Sequence, residues 1–349
     1  IAGGAALLVT RLTADGASFM PVRWWIALTL GAVLLALWAF RGGLRLAAAV
    51  PIAVITAQLY AGSGLTLHRE RTFFGIHKVV VNPAGGATIE EVMRDPTRAW
   101  HILSHGTTNH GIQAWFQPLK QTATSYYHPQ GPVGYIMAAA ATKWPDRGIR
   151  AVVIGLGAGS LAAYARPQDQ FVFFEIDEAV IRIATTPELF TYLPDARGQV
   201  QVLQGDGRLL AANQVPPGTV DLLIVDAFSS DSIPMHLLTL EAIRDVYFEA
   251  LAPGGMLAIH VSNRHLDISR PLAAIAGELG LTMLQMQDEA TEEEAKTAKA
   301  DSDWVVLVRR RDDAGLLLGV PRWQPRPRRV GDPLWTDDFS NILSVIKGL

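Results

Sequence analysis

From Pro145 onward, short apolar runs alternate with helix-like segments, and this alternation constrains the fold more than any other feature of the sequence. The apolar runs are rich in Val, Ile, Leu and Phe, as are strands that are buried on both faces of a sheet. Predicted strands lie at 151–154, 171–175, 200–203, 222–226, 256–261 and 304–308, and predicted helices at 161–165, 179–185 and 240–250. The pattern predicts an α/β fold, a mostly parallel sheet with helices on both faces.

The first predicted strand ends in a glycine-rich turn, Gly155-Leu-Gly157-Ala-Gly159-Ser160. Glycine lets the chain turn sharply from strand to helix and lets its backbone approach a ligand closely. A dinucleotide-binding fingerprint has glycine at the sixth position of this turn, where this chain has Ser160. The GxGxG form therefore favours an adenosylmethionine-type site over a nicotinamide site.

Carboxylates follow the next two predicted strands, at the edge of the sheet where the glycine turn lies. Glu175 ends the second strand, where its carboxylate can accept hydrogen bonds from both hydroxyls of a ribose. Asp206, between Gly205 and Gly207, follows the third strand and can accept a hydrogen bond from an adenine amino group. Each acid alone has the alternative interpretation of a surface turn residue, but three features at successive strand ends indicate one ligand site.

The fourth predicted strand ends in Asp226, which a polar loop containing Asp231 and Pro234 follows. Reactive groups are placed at such strand ends in this fold, on loops that a rigid sheet positions. Asp226 is therefore a candidate catalytic residue, with helix capping or turn formation as the alternative.

Charge and composition exclude several functions. A net charge of -3 provides no basic field for nucleic acid, so no nucleic-acid partner is expected. The absence of cysteine excludes disulfides, thiolate nucleophiles and Cys-ligated zinc. The histidine spacings do not match a zinc site, so no metal is predicted at His105, His110, His128 or His260. The acidic run 288–294 is interpreted as a solvated helix or a mobile loop.

The N-terminal region is more apolar than the rest of the chain. Hydrophobic residues make up 49% and charged residues 18% of the sequence, and the apolar excess precedes Gly64. Two nearly uncharged runs, 22–40 and 46–62, predict a transmembrane hairpin, with two buried core helices as the alternative. Basic residues on the side of the larger domain predict that this domain faces the cytoplasm.

These patterns divide the chain into four regions. They are a membrane segment with about two transmembrane helices (1–63), a small β-rich module (64–135), a Rossmann-like domain (136–312) and a C-terminal docking segment (313–349). The β-rich module is predicted from short runs such as 78–81, which Gly, Asn and Pro separate. The chain begins at Ile1 and not at methionine, which indicates a truncated or processed N-terminus.

Several motifs together resemble the polyamine synthase domain of the spermidine synthase family over roughly residues 73–308. They are Tyr127-His128, the glycine turn, Glu175-Ile-Asp177, Gly205-Asp206 and the loop 226–231. The resemblance is closest to bacterial membrane-fused spermidine synthase-like proteins. Its motifs are Phe73-Phe74-Gly75, His105-Gly-Thr-Thr-Asn-His110-Gly-Ile-Gln113, Tyr126-Tyr127-His128 and His260-Val-Ser-Asn-Arg264.

The resemblance implies a small N-terminal β-module over a Rossmann-like domain, with an adenosylmethionine-derived donor between them. An aminopropyl group would pass from decarboxylated adenosylmethionine to an amine acceptor, with Asp226 as base and Tyr127 assisting. Asp231 would help hold the amine, and Gln113 and His128 would contact the donor. The implied location is the inner membrane of a bacterium, with the bilayer and other membrane subunits as partners.

Two departures from the family pattern leave other functions open. Family members usually carry an aspartate in the glycine turn, where this chain has Ala158, and a glutamate after the Tyr-His pair, where it has Pro129. Loss of a carboxylate partner weakens binding of a dicationic acceptor or a cationic donor tail. A methyltransferase using intact adenosylmethionine is one alternative. A non-catalytic accessory subunit of a membrane complex is the other.

Overall fold

The computed structural model of the chain describes residues 65–106, 108–227 and 234–348, together with the single positions Gly31, Trp38 and Pro51. Apart from those single positions, the predicted transmembrane hairpin lies outside the described residues, as does Asp231. Within the described ranges, none of the helices has both the length and the apolar character that a membrane crossing requires.

Two compact units make up the chain: Ile1–Leu65 with Val81–Arg98, and Thr66–Val80 with Ala99–Leu349. The described part of the first unit contains a short helix, α1 (Ile89–Arg94), which begins with a capping box. The Glu91 backbone N–H donates to the Thr88 hydroxyl, and the Thr88 N–H donates to the Glu91 carboxylate. All residues of the site described below belong to the second unit.

A four-stranded sheet consists of β1 (Leu65–Thr72), β2 (Gly75–Pro83), β3 (Ala99–His105) and β4 (Thr108–Ala114), in that order. β3 pairs antiparallel with β4, with a β-bulge between Leu103 and Ser104. Buried and half-buried residues alternate along β3, as they do in a strand with one face on a core. A small N-terminal β-module was predicted, and the structure confirms it.

The large sheet has eight strands. They are β5 (Arg150–Ile154), β6 (Gln170–Glu175), β7 (Gln199–Gln204), β8 (Val220–Val225), β9 (Leu251–His260), β10 (Thr282–Asp288), β11 (Ser302–Val308) and β12 (Gln324–Pro325). Their order is β12-β10-β11-β9-β8-β5-β6-β7, with parallel pairing from β9 to β7 and antiparallel pairing in the remainder. The strand order reverses direction between β5 and β8, and folds of this type bind ligands at such a reversal.

Helices cover both faces of the large sheet, which confirms the predicted α/β fold. The α-helices are α2 (Pro132–Lys143), α3 (Glu178–Thr185), α4 (Gly207–Gln214), α5 (Phe248–Ala250), α6 (Ser269–Glu278) and α7 (Glu292–Ala295). A π-helical turn spans Ala242–Tyr247, and 3-10 segments span Pro96–Arg98, Leu119–Gln121, Ser160–Tyr164, Met235–Leu237, Arg311–Gly319 and Ile342–Val345. On one face Phe171 and Trp304 lie in a core cluster with Ile136 of α2. Leu223 lies in the cluster of the other face, with Leu272 of α6.

The structure corrects the interpretation of the acidic run 288–294. Asp288 is the last residue of β10 and is buried. Its carboxylate is paired with the Lys299 ammonium at 3.2 Å. Only Glu292–Ala295 forms a helix with solvated acids. β10 itself was not predicted; it pairs antiparallel with β11, the next strand in the sequence.

Candidate active site

A cavity of about 340 Å³ lies at the carboxyl ends of β5, β6, β7 and β8. Its volume is within the range of sites that hold small molecules. Predicted site residues that line it are Gly155, Gly157, Glu175, Asp206, Gly207, Asp226 and Tyr127. Strand ends that are distant in sequence therefore contribute to one site.

The glycine turn fits closely against its neighbours, which explains its residue types. Gly155 has φ +102°, and a Cβ atom there would lie 2.1 Å from the Asp226 carbonyl oxygen. Gly157 has φ +53°, and its Cβ would lie 2.3 Å from the His110 carbonyl oxygen. Gly159 also has a positive φ and precedes the 3-10 segment Ser160–Tyr164, but it does not line the cavity. Positions 155 and 157 require both a positive φ and the absence of a side chain, and only glycine meets both conditions.

Ala158, at the position where the spermidine synthase family usually has an aspartate, is fully buried. A Cβ atom on Gly111 of β4 would lie 2.4 Å from the Ala158 Cβ, so β4 and the glycine turn are in direct contact at this point. Ala158 also lies in a small apolar cluster with Val79 and Leu103. The glycine turn therefore brings no side-chain carboxylate to the cavity.

The Glu175 carboxylate accepts hydrogen bonds from two backbone amides. Its Oε2 accepts the Leu156 N–H at 3.0 Å, and its Oε1 accepts the Asp177 N–H at 2.9 Å. Burial raises the pKa of Glu175, and these backbone donors oppose that shift. Each carboxylate oxygen can accept further hydrogen bonds, so Glu175 can hold the turn and still accept from a ligand hydroxyl.

Asp177, two residues further on, binds a histidine that sequence reasoning did not single out. Its carboxylate accepts from Thr72 Oγ1 and from His77 Nε2, both at 2.7 Å, and from the Ala179 N–H at 3.0 Å. Burial acts against ionisation, but the bonds from Thr72 and His77 hold the pKa of Asp177 below its usual value. His77 is buried in phase with Val79 and Val81 on β2, and its place in that alternation was the available signal.

The rings of His77, His105 and His110 lie in a row along the same wall of the cavity, with centroids 5.0 and 5.7 Å apart. Desolvation lowers the pKa of His105, and the neighbouring His77 adds to the effect. Across the described ranges of the chain, His, Asp and Glu side chains form no group of three or more that could hold a metal ion.

Asp206 caps α4 at the opposite wall. Its Oδ1 accepts the Leu209 N–H at 3.0 Å, and its Oδ2 lies 3.1 Å from His236 Nε2. A Cβ on Gly207 would lie 2.3 Å from Ile154 Cγ2, so glycine is required where α4 begins against β5. Asp206 lies in the cavity wall, as Glu175 does, with its position set by a backbone bond.

Asp226, by contrast, is held by side chains from distant parts of the sequence. Its Oδ2 accepts from the Tyr127 hydroxyl, and its Oδ1 lies 2.8 Å from His260 Nδ1. Asp226 is only 8% exposed, and it lines the cavity. Burial, followed by the Asp226 charge, raises the pKa of Tyr127 well above its usual value, so Tyr127 acts as a hydrogen-bond donor.

The loop that carries Tyr127 is supported by the segment that follows α7. The Ser125 N–H donates to the Ala298 carbonyl at 2.6 Å, and the Ala300 N–H donates to the Ser125 carbonyl at 3.2 Å. Lys299, between those two residues, is buried and lies 3.2 Å from Asp288 and 2.8 Å from Glu294. A buried ion cluster therefore fixes the backbone that positions Tyr127.

Two predicted donor-binding residues, Gln113 and His128, do not line this cavity. The Gln113 amide donates to the Lys120 carbonyl and to Thr191 Oγ1, and its oxygen accepts the Thr191 N–H. His128 Nε2 lies 3.1 Å from Thr297 Oγ1, and its Nδ1 accepts the Gln130 N–H. Both side chains bind protein groups and support the loops near the cavity.

Comparison with protein-family models and with curated proteins finds no match. Among solved structures, the chain is similar to the spermidine synthase of Thermotoga maritima, with 10% identity over 78% of this chain and 81% of that one and a TM-score of 0.46. A spermidine synthase in complex with the transition-state analogue AdoDATO gives 10% identity, the same coverage and a TM-score of 0.44. An arsenic(III) S-adenosylmethionine methyltransferase of Chlamydomonas reinhardtii gives 15% identity over 50% of this chain and 72% of that one, with a TM-score of 0.32.

Proposed function

We propose that this chain is a spermidine synthase-like transferase that moves an aminopropyl group from decarboxylated adenosylmethionine to an amine. The observation that carries the proposal is Asp226, a carboxylate on the cavity wall that Tyr127 and His260 orient. A general base must lie within reach of the proton that it accepts, in a geometry fixed before the reaction. Asp226 lines the cavity with its carboxylate held in place, at the strand end where this fold places reactive groups, and this supports the role of base.

Glu175 and Asp206 are the residues that would hold the donor. Glu175 would accept from ribose hydroxyls and Asp206 from an adenine amino group, through lone pairs that their backbone donors leave available. The glycine turn allows close backbone approach between them. This division leaves Asp226 for the acceptor.

In the transfer step, the amine nitrogen forms a bond to the donor's transferred carbon while the carbon–sulfur bond breaks. The electron pair returns to sulfur as a neutral thioether, and Asp226 takes the proton that the nitrogen loses. Burial of Asp226 and Tyr127 keeps water from competing for that proton. The thioether leaves without Lewis-acid assistance, because the positive charge of the donor sulfonium already activates the carbon–sulfur bond.

Methyl transfer from intact adenosylmethionine is the second candidate, and the burial of Ala158 favours it. The glycine turn contributes no carboxylate to the cavity. The carboxylate of intact adenosylmethionine would therefore meet less repulsion there than it would if position 158 were acidic.

A product assay separates these functions. The full-length chain is incubated with each donor and a panel of mono- and diamines, and the products are identified by mass spectrometry. Aminopropylated amine and methylthioadenosine support the proposal; methylated product with the intact donor would replace it by methyl transfer. Calorimetry with both donors adds the third outcome, since an accessory subunit would bind neither.

The predicted hairpin at 22–62 supports a membrane-anchored form of the enzyme, with the described domain on the cytoplasmic side of a bacterial inner membrane. Carbonate extraction of membranes should leave the chain in the pellet. Protease added to right-side-out vesicles should spare the domain; release by carbonate, or digestion, would contradict the anchored topology.

A further inference from the structure

His260, the last residue of β9, lies flat between two aromatic rings. Its ring stacks on Tyr126 at a centroid distance of 4.5 Å and on Trp304 at 4.8 Å, with interplanar angles of 19° and 20°. The side chain is 6% exposed. Such a sandwich restricts the imidazole to one plane, so that its two nitrogens have fixed directions.

The hydrogen bonds at the two ring nitrogens assign the proton. Ser262 Oγ accepts the Asp303 N–H at 2.8 Å and lies 2.6 Å from His260 Nε2. A carboxylate that acts as a base can only accept, so Nδ1 must donate to Asp226, and the unprotonated Nε2 then accepts the Ser262 hydroxyl hydrogen. The neutral imidazole then carries its proton on Nδ1, which donates to Asp226 Oδ1 at 2.8 Å.

We propose that His260 is a positioning residue for the transfer reaction, and that the Ser262 hydroxyl, bonded to Nε2, supports the tautomer that Asp226 requires. His260 and Tyr127 donate to different oxygens of Asp226, which fixes the plane of the carboxylate. The remaining lone pairs then face the cavity. This role rests on the proposed function, in which Asp226 is the base.

The same three residues have the connectivity of a Ser-His-Asp triad, but Ser262 is not the nucleophile here. It does not line the cavity, and its oxygen accepts the Asp303 amide proton. A triad serine must face a substrate carbonyl next to an oxyanion hole. Ser262 instead acts through His260 on Asp226.

Paired variants of His260 separate hydrogen bonding from packing. His260→Phe keeps an aromatic ring between Tyr126 and Trp304 but removes the donor, so kcat should fall at least about tenfold. His260→Asn loses the ring but places an amide N–H near the Nδ1 position, so it should recover most of the lost kcat. Affinity for methylthioadenosine, measured by calorimetry, should stay within about threefold of the wild type in both variants.

Equal kcat in wild type and His260→Phe would overturn the proposal, as would an Asn variant no better than the Phe variant. Ser262→Ala should lower kcat by a smaller factor than His260→Phe, because only the bond at Nε2 is lost and Nδ1 still donates to Asp226.

Nitrogen-15 NMR of the imidazole in the full-length chain tests the assignment without any turnover. The wild type should show protonated Nδ1 and unprotonated Nε2 at pH 8, and Ser262→Ala should keep that tautomer with a shifted Nε2 resonance, because Nε2 loses the Ser262 hydroxyl. The opposite tautomer in the wild type would overturn the inference. The expected tautomer in a chain without transferase activity would instead overturn the proposed function alone.

Discussion

The two sides of the cavity hold their carboxylates in different ways. On the glycine-turn side, Glu175 and Asp206 accept backbone N–H groups, from Leu156, Asp177 and Leu209. On the Asp226 side, the carboxylate is bonded by side chains that lie 99 and 34 positions away in the sequence, Tyr127 and His260.

This difference separates the carboxylates that would bind a ligand from the carboxylate that would take part in the reaction. A carboxylate bonded to backbone amides fixes the path of the chain and offers its remaining lone pairs to a ligand. When the donors to a carboxylate are side chains, a substitution of one of them changes its hydrogen bonds without moving the backbone. We therefore expect substitutions on the glycine-turn side to change affinity and stability, and those on the Asp226 side to change turnover.

The strongest test exchanges one acid on each side. Asp226→Asn should lower kcat about a thousandfold, because general-base catalysis contributes factors of this order, while methylthioadenosine affinity stays nearly unchanged. Asp206→Asn should weaken that affinity with a much smaller change in kcat. Stopped-time assays and calorimetry on both variants check this, and an identical pattern in the two would remove the distinction.

Loss of the ion cluster behind the Tyr127 loop should have the next largest effect. Lys299→Met leaves Asp288 buried beside fewer cations, which should lower the free energy of unfolding by about 3 kcal/mol. It should also lower kcat, since Tyr127 loses its support. Urea unfolding gives the first quantity.

The matched control for that variant is Lys296→Met, which removes the exposed pair with Glu293. An exposed pair contributes about 0.5 kcal/mol or less. Equal destabilisation by the two variants would show that the buried cluster does not support the loop.

Glu175→Gln should lower ligand affinity by about tenfold, because a neutral amide replaces a charge-assisted acceptor. The wild type should also bind more weakly as the pH falls. Burial raises the pKa of Glu175, so in the folded protein the carboxylate takes up a proton at a higher pH than in the unfolded chain, and its charge is lost first in the folded state.

Calorimetry from pH 8 to 5 should therefore show falling affinity in the wild type and a flatter profile in Glu175→Gln. The exposed Glu178, which pairs with Arg182, supplies the control variant Glu178→Gln, whose profile should match the wild type. Parallel profiles in Glu175→Gln and wild type would contradict a binding role for Glu175.

The smallest effect is expected for Tyr127→Phe. It removes one of the two donors to Asp226, and kcat should fall about tenfold with little change in affinity. Tyr192→Phe also removes a buried tyrosine hydroxyl, one that donates to the carbonyls of Ile112 and Thr122, and serves as the control. Similar kcat values in the two variants would count against Tyr127 as a partner of the base.

Some predictions from residue patterns failed where distant contacts decide. The pattern identified the residues of the glycine turn and the acids at the strand ends, because these depend on local chain geometry. It missed β10, and it treated Asp288 as solvated, since nothing near that residue in sequence indicates Lys299 or the partner strand. The predicted helix 240–250 became a π-helical turn followed by α5.

Side-chain direction was the other limit. Gln113 and His128 were expected at the donor; in the structure each bonds to a nearby residue and to one far along the chain, Thr191 and Thr297 respectively. His260 was noted as part of a family motif and was rejected as a metal ligand, but it was not predicted to contact Asp226. Its position at the carboxyl end of a predicted strand was the signal that could have placed it beside Asp226.

The sequence by itself determined the strand–helix alternation, the glycine turn and the order of acids along one edge of the sheet. These follow from periodicity and from backbone conformations that only glycine adopts freely. Only the tertiary structure decided that His260 also bonds to Asp226, and that Lys299 supports the loop that carries Tyr127. Such pairs form when packing brings distant residues within hydrogen-bond distance, and no local pattern encodes that distance.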